Sequence, residues 1–154
     1  MSINAKIKEQ EIVLQEPATP VANYVGYNQI NDILHISGQI CIENGELKYK
    51  GKLGSDLTVA EGQQAARICA INILAQINKA CDGDLNKVKK VVMLQIFVNS
   101  DNDFTDQALV ANGASDLIAE IFGEKGKHAR AAVSCNSLPL NTAVEVSATV
   151  QIES

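Results

Sequence analysis

The stretch Val88-Lys-Lys-Val-Val-Met-Leu-Gln-Ile-Phe-Val98 decides the fold of this chain. Its even positions from Val92 to Val98 are all apolar, and its odd positions from residue 91 onward are interrupted only by Gln95. Successive side chains of a strand point to opposite faces of a sheet, so a strand that is apolar on both sides has to be buried on both sides. The rest of the sequence predicts two helices that can cover a sheet, enough for one face only. We therefore expect an oligomer in which the other sheet faces pack against one another.

The segments around this strand, which we predict over residues 86–99, alternate between strand and helix signals. Thr58-Val-Ala-Glu61 is a capping box that opens a helix with an apolar stripe, and Gly83 is the expected stop. A second helix is predicted over residues 105–122. Residues 1–11 are predicted as a short helix, and further strands over residues 23–29, 33–41, 47–49, 129–135 and 143–152. This order predicts a single α+β domain over residues 1–154, with both main helices on one sheet face.

The composition is that of an ordinary globular chain. It has 154 residues, of which 46% are hydrophobic and 20% are charged, so intrinsic disorder is excluded. Its formal net charge of −5 gives no bulk attraction for nucleic acids, which we do not expect as partners. No apolar run approaches the ~18 residues of a membrane span, and residues 1–11 lack the apolar core of a signal peptide. We therefore expect a cytoplasmic protein without a membrane segment.

The four cysteines do not form a metal-binding pattern. Cys41, Cys69, Cys81 and Cys135 show neither a CxxC spacing nor a histidine at the distance typical of zinc ligands, so no metal is expected. Cys69 and Cys81 lie on one predicted helix about 18 Å apart, which excludes a disulfide between them. We expect each cysteine to be a small buried apolar residue.

Polar residues within the predicted strands are the candidates for chemistry. Arg130 opens a strand otherwise made of alanine and valine, and its guanidinium presents a fork of donors that fits a carboxylate. Glu145 alternates with valines. The two could equally form an ion pair at a subunit contact or be solvated strand residues. Ser37-Gly38 within a strand indicates a close backbone approach, and Tyr24 is either a core aromatic or a hydroxyl donor.

The histidines do not complete a recognisable catalytic set. His128 lies in a polar turn, where a histidine is usually solvated or caps a helix, and His35 is predicted to be an exposed strand residue. The basic residues just before Arg130 could contact a phosphate, but two nearby glutamates weaken that patch. Glycine-rich phosphate-binding motifs and the GxSxG nucleophile motif are absent.

Three motifs together resemble one family. They are Ser37-Gly38-Gln39-Ile40, Phe97-Val98-Asn99 before a helix, and the pattern R-x7-LP-x5-E that runs from Arg130 through Leu138-Pro139 to Glu145. With these motifs the chain resembles the YjgF/RidA family, also called endoribonuclease L-PSP, over about residues 20–152. It is most similar to a longer branch of that family, in which residues 1–19 form an N-terminal extension.

The resemblance implies a chorismate-mutase-like α+β sandwich with a mixed β-sheet and two helices on one face. It also implies a homotrimer whose sheets pack into a central barrel, with clefts between subunits, in agreement with the two-sided strand. The implied activity is hydrolytic deamination of reactive enamine/imine intermediates, such as 2-aminoacrylate, to 2-keto acids and ammonia. The substrate is a small carboxylate, and no cofactor or metal is implied.

By position, the resemblance implies roles for five residues. Arg130 would clamp the substrate carboxylate, and Glu145 would hold or activate the attacking water. Tyr24 and Ser37 would line the cleft from the neighbouring subunit, and Gly38 would allow a close approach. An imine of a 2-keto acid is already electrophilic, so orientation and charge stabilisation suffice for its hydrolysis.

Two further positions complete the implied site. Asn112 is a lining residue of the cleft. Ala132 stands two residues after Arg130, where the deaminase branch of the family has a cysteine, and Cys135 is not its equivalent. If this position contributes mainly a backbone N–H, Ala132 serves; if the thiol shapes the pocket, the substrate range differs.

Two other functions stay open on the sequence. One is a trimer that binds a small keto acid or an amino-acid-derived ligand without useful turnover. The other is an endoribonuclease, as the older family name says. The acidic composition and the lack of a histidine pair or a metal set count against the second.

Overall fold

The computed structural model describes residues 1–154, and its elements follow the predicted order with shifted ends. The helices are α1 (Ile3–Glu9), α2 (Val59–Ala80) and α3 (Gln107–Phe122). The strands are β1 (Tyr27–Ile30), β2 (Ile33–Ile40), β3 (Ile42–Glu43), β4 (Glu46–Leu47), β5 (Val88–Asn99), β6 (Ala129–Cys135) and β7 (Val144–Ile152). Short 3₁₀ turns occupy Leu85–Lys87, Gly123–Gly126 and Pro139–Asn141. The strand predicted over residues 23–29 starts later, and the one predicted at residues 47–49 is half of the small β3–β4 hairpin.

Five of the strands form one mixed sheet in the order β1-β2-β7-β5-β6. β5 and β6 are parallel, and every other neighbouring pair is antiparallel. α2 packs against β2 and β7, while α3 packs against α2, β5 and β6. The predicted α+β fold, a mixed sheet with two helices on one face, is confirmed. None of the helices combines the length and the apolar character that a membrane crossing requires.

The strand that decides the fold departs from simple alternation. Its pairing with β7 is irregular between Val88 and Lys90 and again between Val91 and Met93, which shifts the phase of its first half. As a result Val91 is buried and Val92 is 40% exposed, so the prediction that all even positions share one face is wrong at Val92. Beyond the second irregularity the alternation is regular, and the face below the helices receives Leu94, Ile96 and Val98.

The sheet face opposite the helices has no cover within the chain. Its side chains come from three neighbouring strands and are at least partly exposed: His35, Met93, Gln95, Phe97, Ser147 and Thr149. The Ser147 hydroxyl donates to the Gln95 side-chain oxygen at 3.1 Å. This face therefore mixes apolar and polar groups and is less apolar than the β5 sequence by itself suggests.

The N-terminal ends of two helices are fixed by side-chain caps. At α2, the Thr58 hydroxyl accepts from the Glu61 N–H at 3.2 Å, and the Glu61 carboxylate accepts from the Thr58 N–H at 3.0 Å, which is the predicted capping box. Gly83, with a φ of 85°, follows the end of that helix. α1 begins at a serine cap and buries Ile3 and Ile7 in the main core, so the N-terminal extension contributes packed structure.

All four cysteines are free thiols, and three of them are core residues. Cys41, Cys69 and Cys81 are buried, as predicted, whereas Cys135 is half-buried. Burial raises the pKa of the Cys69 thiol well above its ordinary value, which keeps that thiol protonated and unreactive.

The crossing of α2 and α3 depends on Gly113. A Cβ built on Gly113 would overlap the Gln63 carbonyl oxygen and lie 2.8 Å from the Gln63 Cα atom. The Gln63 side chain also donates to the Leu109 carbonyl at 2.9 Å, which ties the two helices together next to this contact. Because the obstacle is backbone and not a flexible side chain, only glycine permits this distance between the helices.

Gly113→Ala is a direct test of that contact. Alanine in a helix interior normally stabilises by about 1 kcal/mol relative to glycine. Here we expect the free energy of unfolding to fall by about 1–3 kcal/mol, because the added methyl overpacks the crossing. Urea unfolding followed by circular dichroism measures the change, and Ala119→Gly on the exposed side of α3 calibrates the helix-propensity effect. A Gly113→Ala variant more stable than the wild type would contradict the close crossing.

Candidate functional site

Arg130 lies on β6, the edge strand of the sheet, and its side chain is held against α3. The Nη1 group donates to Asn112 Oδ1 at 2.9 Å and to Ser115 Oγ at 3.1 Å, and the Nη2 group donates to the Ala108 carbonyl at 3.2 Å. These three acceptors are spaced i, i+4 and i+7 along the helix, so they share one face. Asn112, predicted as a lining residue, is therefore a direct partner of Arg130.

The guanidinium keeps part of its donor capacity free. Of its five N–H donors, three are used by α3, which leaves the Nε hydrogen and one Nη2 hydrogen without a partner in the chain. Adjacent donors of this kind bind a carboxylate through two parallel hydrogen bonds. Arg130 is also exposed to solvent, so an anion can reach it.

Ala132 follows Arg130 on the same side of β6. It pairs with Ile96 of β5 and is half-buried, and its side chain carries no polar group. A cysteine in its place would add a thiol to the surface beside the guanidinium. The structure therefore places Ala132 next to Arg130, where the sequence predicted it, but offers only a methyl group there.

Two residues that sequence reasoning did not select stand beside Arg130. Ser115 Oγ lies 2.9 Å from His128 Nε2, and His128 Nδ1 lies 2.6 Å from the Gly126 carbonyl oxygen. His128, predicted as a solvated or capping residue, is half-buried and therefore not solvated, and its Nδ1 bond caps the last carbonyl of the 3₁₀ turn Gly123–Gly126. The available signal was the spacing of Ser115, one helical turn after Asn112, on the face that Arg130 meets.

Glu145 belongs to a second group of candidate residues. It lies on β7 between the buried Val144 and Val146, so its side chain points to the sheet face away from the helices. A Cβ built on Gly38 would collide with the Glu145 carboxylate, whose Cδ would be 2.9 Å away. Gly38 is thus the residue that makes room for this carboxylate, a side-chain contact and not the backbone approach that the sequence predicted.

Backbone irregularity in β2 produces this arrangement. The register between β2 and β7 shifts between Ile36 and Gln39, so that Ser37 and Gly38 form a bulge. The Ser37 hydroxyl donates to the Val25 carbonyl at 2.7 Å, and its N–H donates to the Gly26 carbonyl at 3.0 Å. These bonds hold the segment that carries Tyr24, which is exposed, alongside the bulge.

Burial raises the pKa of the Glu145 carboxyl above its ordinary value. The cause is loss of solvent, since desolvation disfavours the charged form of a carboxylic acid. No cation pairs with Glu145. A carboxyl with a raised pKa can exchange protons at a pH closer to neutrality than an ordinary glutamate can.

The chain does not bring Arg130 and Glu145 together. β5 lies between β6 and β7, and the two side chains lie on opposite faces of the sheet, Arg130 against α3 and Glu145 on the open side. The two groups, Arg130 with Asn112 and Ala132, and Glu145 with its β2 neighbours, are therefore separate half-sites. The possible Arg130–Glu145 ion pair does not form within the chain.

Asn99 is a further important residue, which the sequence analysis named only as part of a motif and gave no structural role. Its buried amide donates to the carbonyls of Gly51 at 3.1 Å and Thr142 at 3.3 Å, and to Asn141 Oδ1 at 3.1 Å. The Lys52 ammonium donates to its oxygen at 3.1 Å. Asn99 thus fixes the turn that follows Leu138-Pro139 and the start of β7. This contact links the motif Phe97-Val98-Asn99 to the motif that runs from Arg130 to Glu145.

Other potential sites contribute nothing to this arrangement. No group of three or more His, Cys, Asp or Glu side chains is placed to hold a metal ion. A cavity of about 370 Å³ lies between residues 10–15, β3 and α2, and none of the candidate residues lines it. The chemistry has to be sought in the two half-sites.

Comparison with known proteins identifies the class to which this fold and these motifs belong. The family model described as "YjgF/chorismate_mutase-like, putative endoribonuclease" matches residues 4–151. Protein TCP17 of Trypanosoma cruzi is 47% identical over 97% of this chain and 94% of its own length. The chain belongs to the YjgF/RidA family, the one that its motifs resemble.

Two solved structures agree with this assignment. The crystal structure of Atu1372 from Agrobacterium tumefaciens, a protein of unknown function, is 45% identical and superposes with a TM-score of 0.93, covering 98% of this chain and 92% of that one. The crystal structure of a "putative endoribonuclease" from Shewanella oneidensis is 33% identical with a TM-score of 0.94, covering 99% and 100%. The fold is thus shared over the whole chain.

Glu145→Gln tests the raised pKa through stability. The Glu145 carboxyl has an ordinary pKa in the unfolded chain and a higher pKa in the folded chain. Its contribution to the free energy of unfolding is therefore fully present at a pH below the unfolded pKa, and it is lost as the pH rises through the folded pKa. At about pH 8 the wild type carries a half-buried charge that the variant lacks. We expect the variant to melt at a higher temperature there, with a difference that shrinks toward about pH 4.

Thermal unfolding by calorimetry at both pH values measures this difference. Glu43→Gln is the matched control. It also removes one carboxyl group, but that group is exposed to solvent. A difference that grows toward low pH would show that the carboxylate is stabilised in the folded chain.

Proposed function

We propose that this protein hydrolyses imines of small 2-keto acids, in equilibrium with their enamines such as 2-aminoacrylate, to 2-keto acids and ammonia. The reaction takes place in clefts between subunits of a homotrimer, each cleft combining the Arg130 half-site of one copy with the Glu145 half-site of its neighbour. The observation that carries the proposal is the guanidinium of Arg130, anchored on an exposed edge strand with two donors unused.

The free donors of Arg130 suit a substrate carboxylate. Binding that group through two parallel hydrogen bonds fixes the attached imine carbon at a set distance and angle from the protein. A lysine would supply charge without this planar geometry. Ala132 and Asn112 flank the guanidinium and limit the space beside it.

Glu145 suits the proton transfers of hydrolysis. Water forms a bond from its oxygen to the imine carbon as the C=N π bond breaks, and one water proton passes to the Glu145 carboxylate, which delivers it to the imine nitrogen. The carboxylate then takes the hydroxyl proton of the tetrahedral intermediate and delivers it to the amino nitrogen, so that the carbonyl forms as the C–N bond breaks and ammonia leaves. A carboxyl whose pKa is raised by burial is able both to accept and to return these protons.

The separation of the half-sites supports an assembly of several copies, and a homotrimer is the assembly that the family resemblance implies. β6 pairs with a neighbour on one side only, as does β1 at the other end of the sheet, so both edges present unpaired backbone groups. The exposed apolar residues Tyr24, Val25, Val92 and Val133 lie near these edges or on the open face. A ring of copies would cover them and place the two half-sites in one cleft.

The deaminase test compares wild type with Arg130→Ala, using 2-aminoacrylate generated enzymatically in the assay. We expect the wild type to accelerate release of ammonia and keto acid, and the variant to be no faster than buffer while keeping its oligomeric mass by light scattering. Arg67→Ala is the matched control, because Arg67 is the only other arginine and lies in the distant cavity. Wild type no faster than buffer would refute the activity on this substrate. Arg130-dependent thermal stabilisation by pyruvate without acceleration would favour ligand binding alone.

Mixing two inactive variants tests the shared cleft. Arg130→Ala and Glu145→Gln each destroy one half-site, so each alone is expected to be inactive. Co-expressed in equal amounts, random trimers should recover about one quarter of wild-type activity, because a cleft needs an intact half-site from each of two chains. Activity is measured as keto-acid release per total protein. No recovery from mixed oligomers, verified by mass spectrometry, would show that the site lies within one chain.

A further inference from the structure

Arg130 is held more firmly than an arginine on an exposed edge strand normally is. Long charged side chains at a surface keep several rotamers, and ordering them costs entropy. Here three acceptors on one face of α3 fix the guanidinium, and one of them, Ser115, is itself bonded to His128. Arg130 belongs to the family motifs, whereas its neighbours Ser115 and His128 lie outside the set of residues that those motifs select.

The direction of each hydrogen bond in this cluster follows from its partners. The Gly126 carbonyl cannot donate, so the 2.6 Å contact requires a hydrogen on His128 Nδ1. In the neutral ring Nε2 is then an acceptor, and the Ser115 hydroxyl donates its single hydrogen to it at 2.9 Å. The lone pairs of Ser115 Oγ face Arg130 Nη1 at 3.1 Å. The bonds therefore run from Arg130 through Ser115 to His128.

His128 decides which way the Ser115 hydroxyl points. A serine inside a helix otherwise tends to donate to the carbonyl four residues earlier, here that of Ala111. Such a bond would change the rotamer of the hydroxyl and remove the acceptor from Nη1. By taking the hydroxyl hydrogen, His128 keeps the Ser115 oxygen available to Arg130.

We infer that Ser115 and His128 are positioning residues that fix the guanidinium of Arg130, so that its Nε and Nη2 donors face outward to receive the carboxylate of the ligand. Neither residue lies at the free donor edge, so neither touches the substrate. The inference rests on the proposed function for the identity of the ligand. The chain of hydrogen bonds from Arg130 through Ser115 to His128, called the relay below, is a property of the protein without ligand. It is therefore testable without turnover.

The first experiment observes Arg130 directly by nitrogen-15 NMR. The chain has only two arginines, Arg67 and Arg130, so each guanidinium signal is assignable with the Arg67→Ala variant. A guanidinium held by three bonds rotates slowly about its Cζ–Nε bond and shows separate Nη1 and Nη2 signals. We expect Ser115→Ala and His128→Leu to merge the Arg130 signals, and Ser115→Thr, which keeps the hydroxyl, to leave them separate. Unchanged signals in Ser115→Ala and His128→Leu would overturn the relay.

The second experiment measures what the relay does for ligand binding and turnover. For Ser115→Ala and His128→Leu we expect KM for the imine, and Kd for pyruvate by calorimetry, to rise about tenfold, the size of losing a hydrogen bond to a charged group. We expect kcat to stay within about twofold, because the reacting atoms are untouched. Asp116→Asn, an exposed neighbour on α3, controls for changes in the helix. A fall in kcat at constant KM would refute a positioning role.

The two proposals fail in different ways. If wild type hydrolyses no imine but the NMR signals and pyruvate affinity respond as expected, the relay stands and the deaminase activity falls. If turnover depends on Arg130 but neither the signals nor KM respond to Ser115→Ala, the activity stands and the relay falls.

Discussion

Burial of β5 and β7 beneath α2 and α3 is the interaction on which the rest of the structure depends. Leu94 and Ile96 of β5 and Val146 of β7 are completely excluded from solvent, and each buried side chain of this size contributes about 1.5–3 kcal/mol. The chain has no further helix of comparable length for the opposite face. One-sided cover is thus what leaves a sheet face and two edges available to another copy.

The same packing separates the two half-sites. Because strand side chains alternate, seating Val144 and Val146 under the helices forces Glu145 to the open face, and a slip of one residue would reverse this. On β6 the residue that pairs with the buried Leu94 is Arg130, which is therefore directed toward α3. The close crossing of the helices at Gly113 sets the position of the acceptors that Arg130 meets. The chemistry of the site is a consequence of core register.

The sequence prediction was most successful where it depended on residues close together in the sequence. The capping box at Thr58, the order of the elements and the motif from Arg130 to Glu145 depend on residues close in sequence, and all could be recognised directly. The phase of β5 at Val92 could not, since the irregularity arises from pairing with β7. The contact of Ser115 with His128 could not be predicted either, because it depends on how the 3₁₀ turn Gly123–Gly126 connects α3 to β6. Both failures come from tertiary geometry that overrides local pattern.

The unpaired edges at β1 and β6 have a consequence for the newly synthesised chain. In the isolated chain each edge is a template on which any extended peptide can add a strand, and such addition has no natural end. β1 has only four residues and β6 only seven, which limits how firmly a stray strand could bind. In the proposed ring, neighbouring copies would cover both edges. Assembly would then be the step that protects the chain from aggregation as well as the step that completes its clefts.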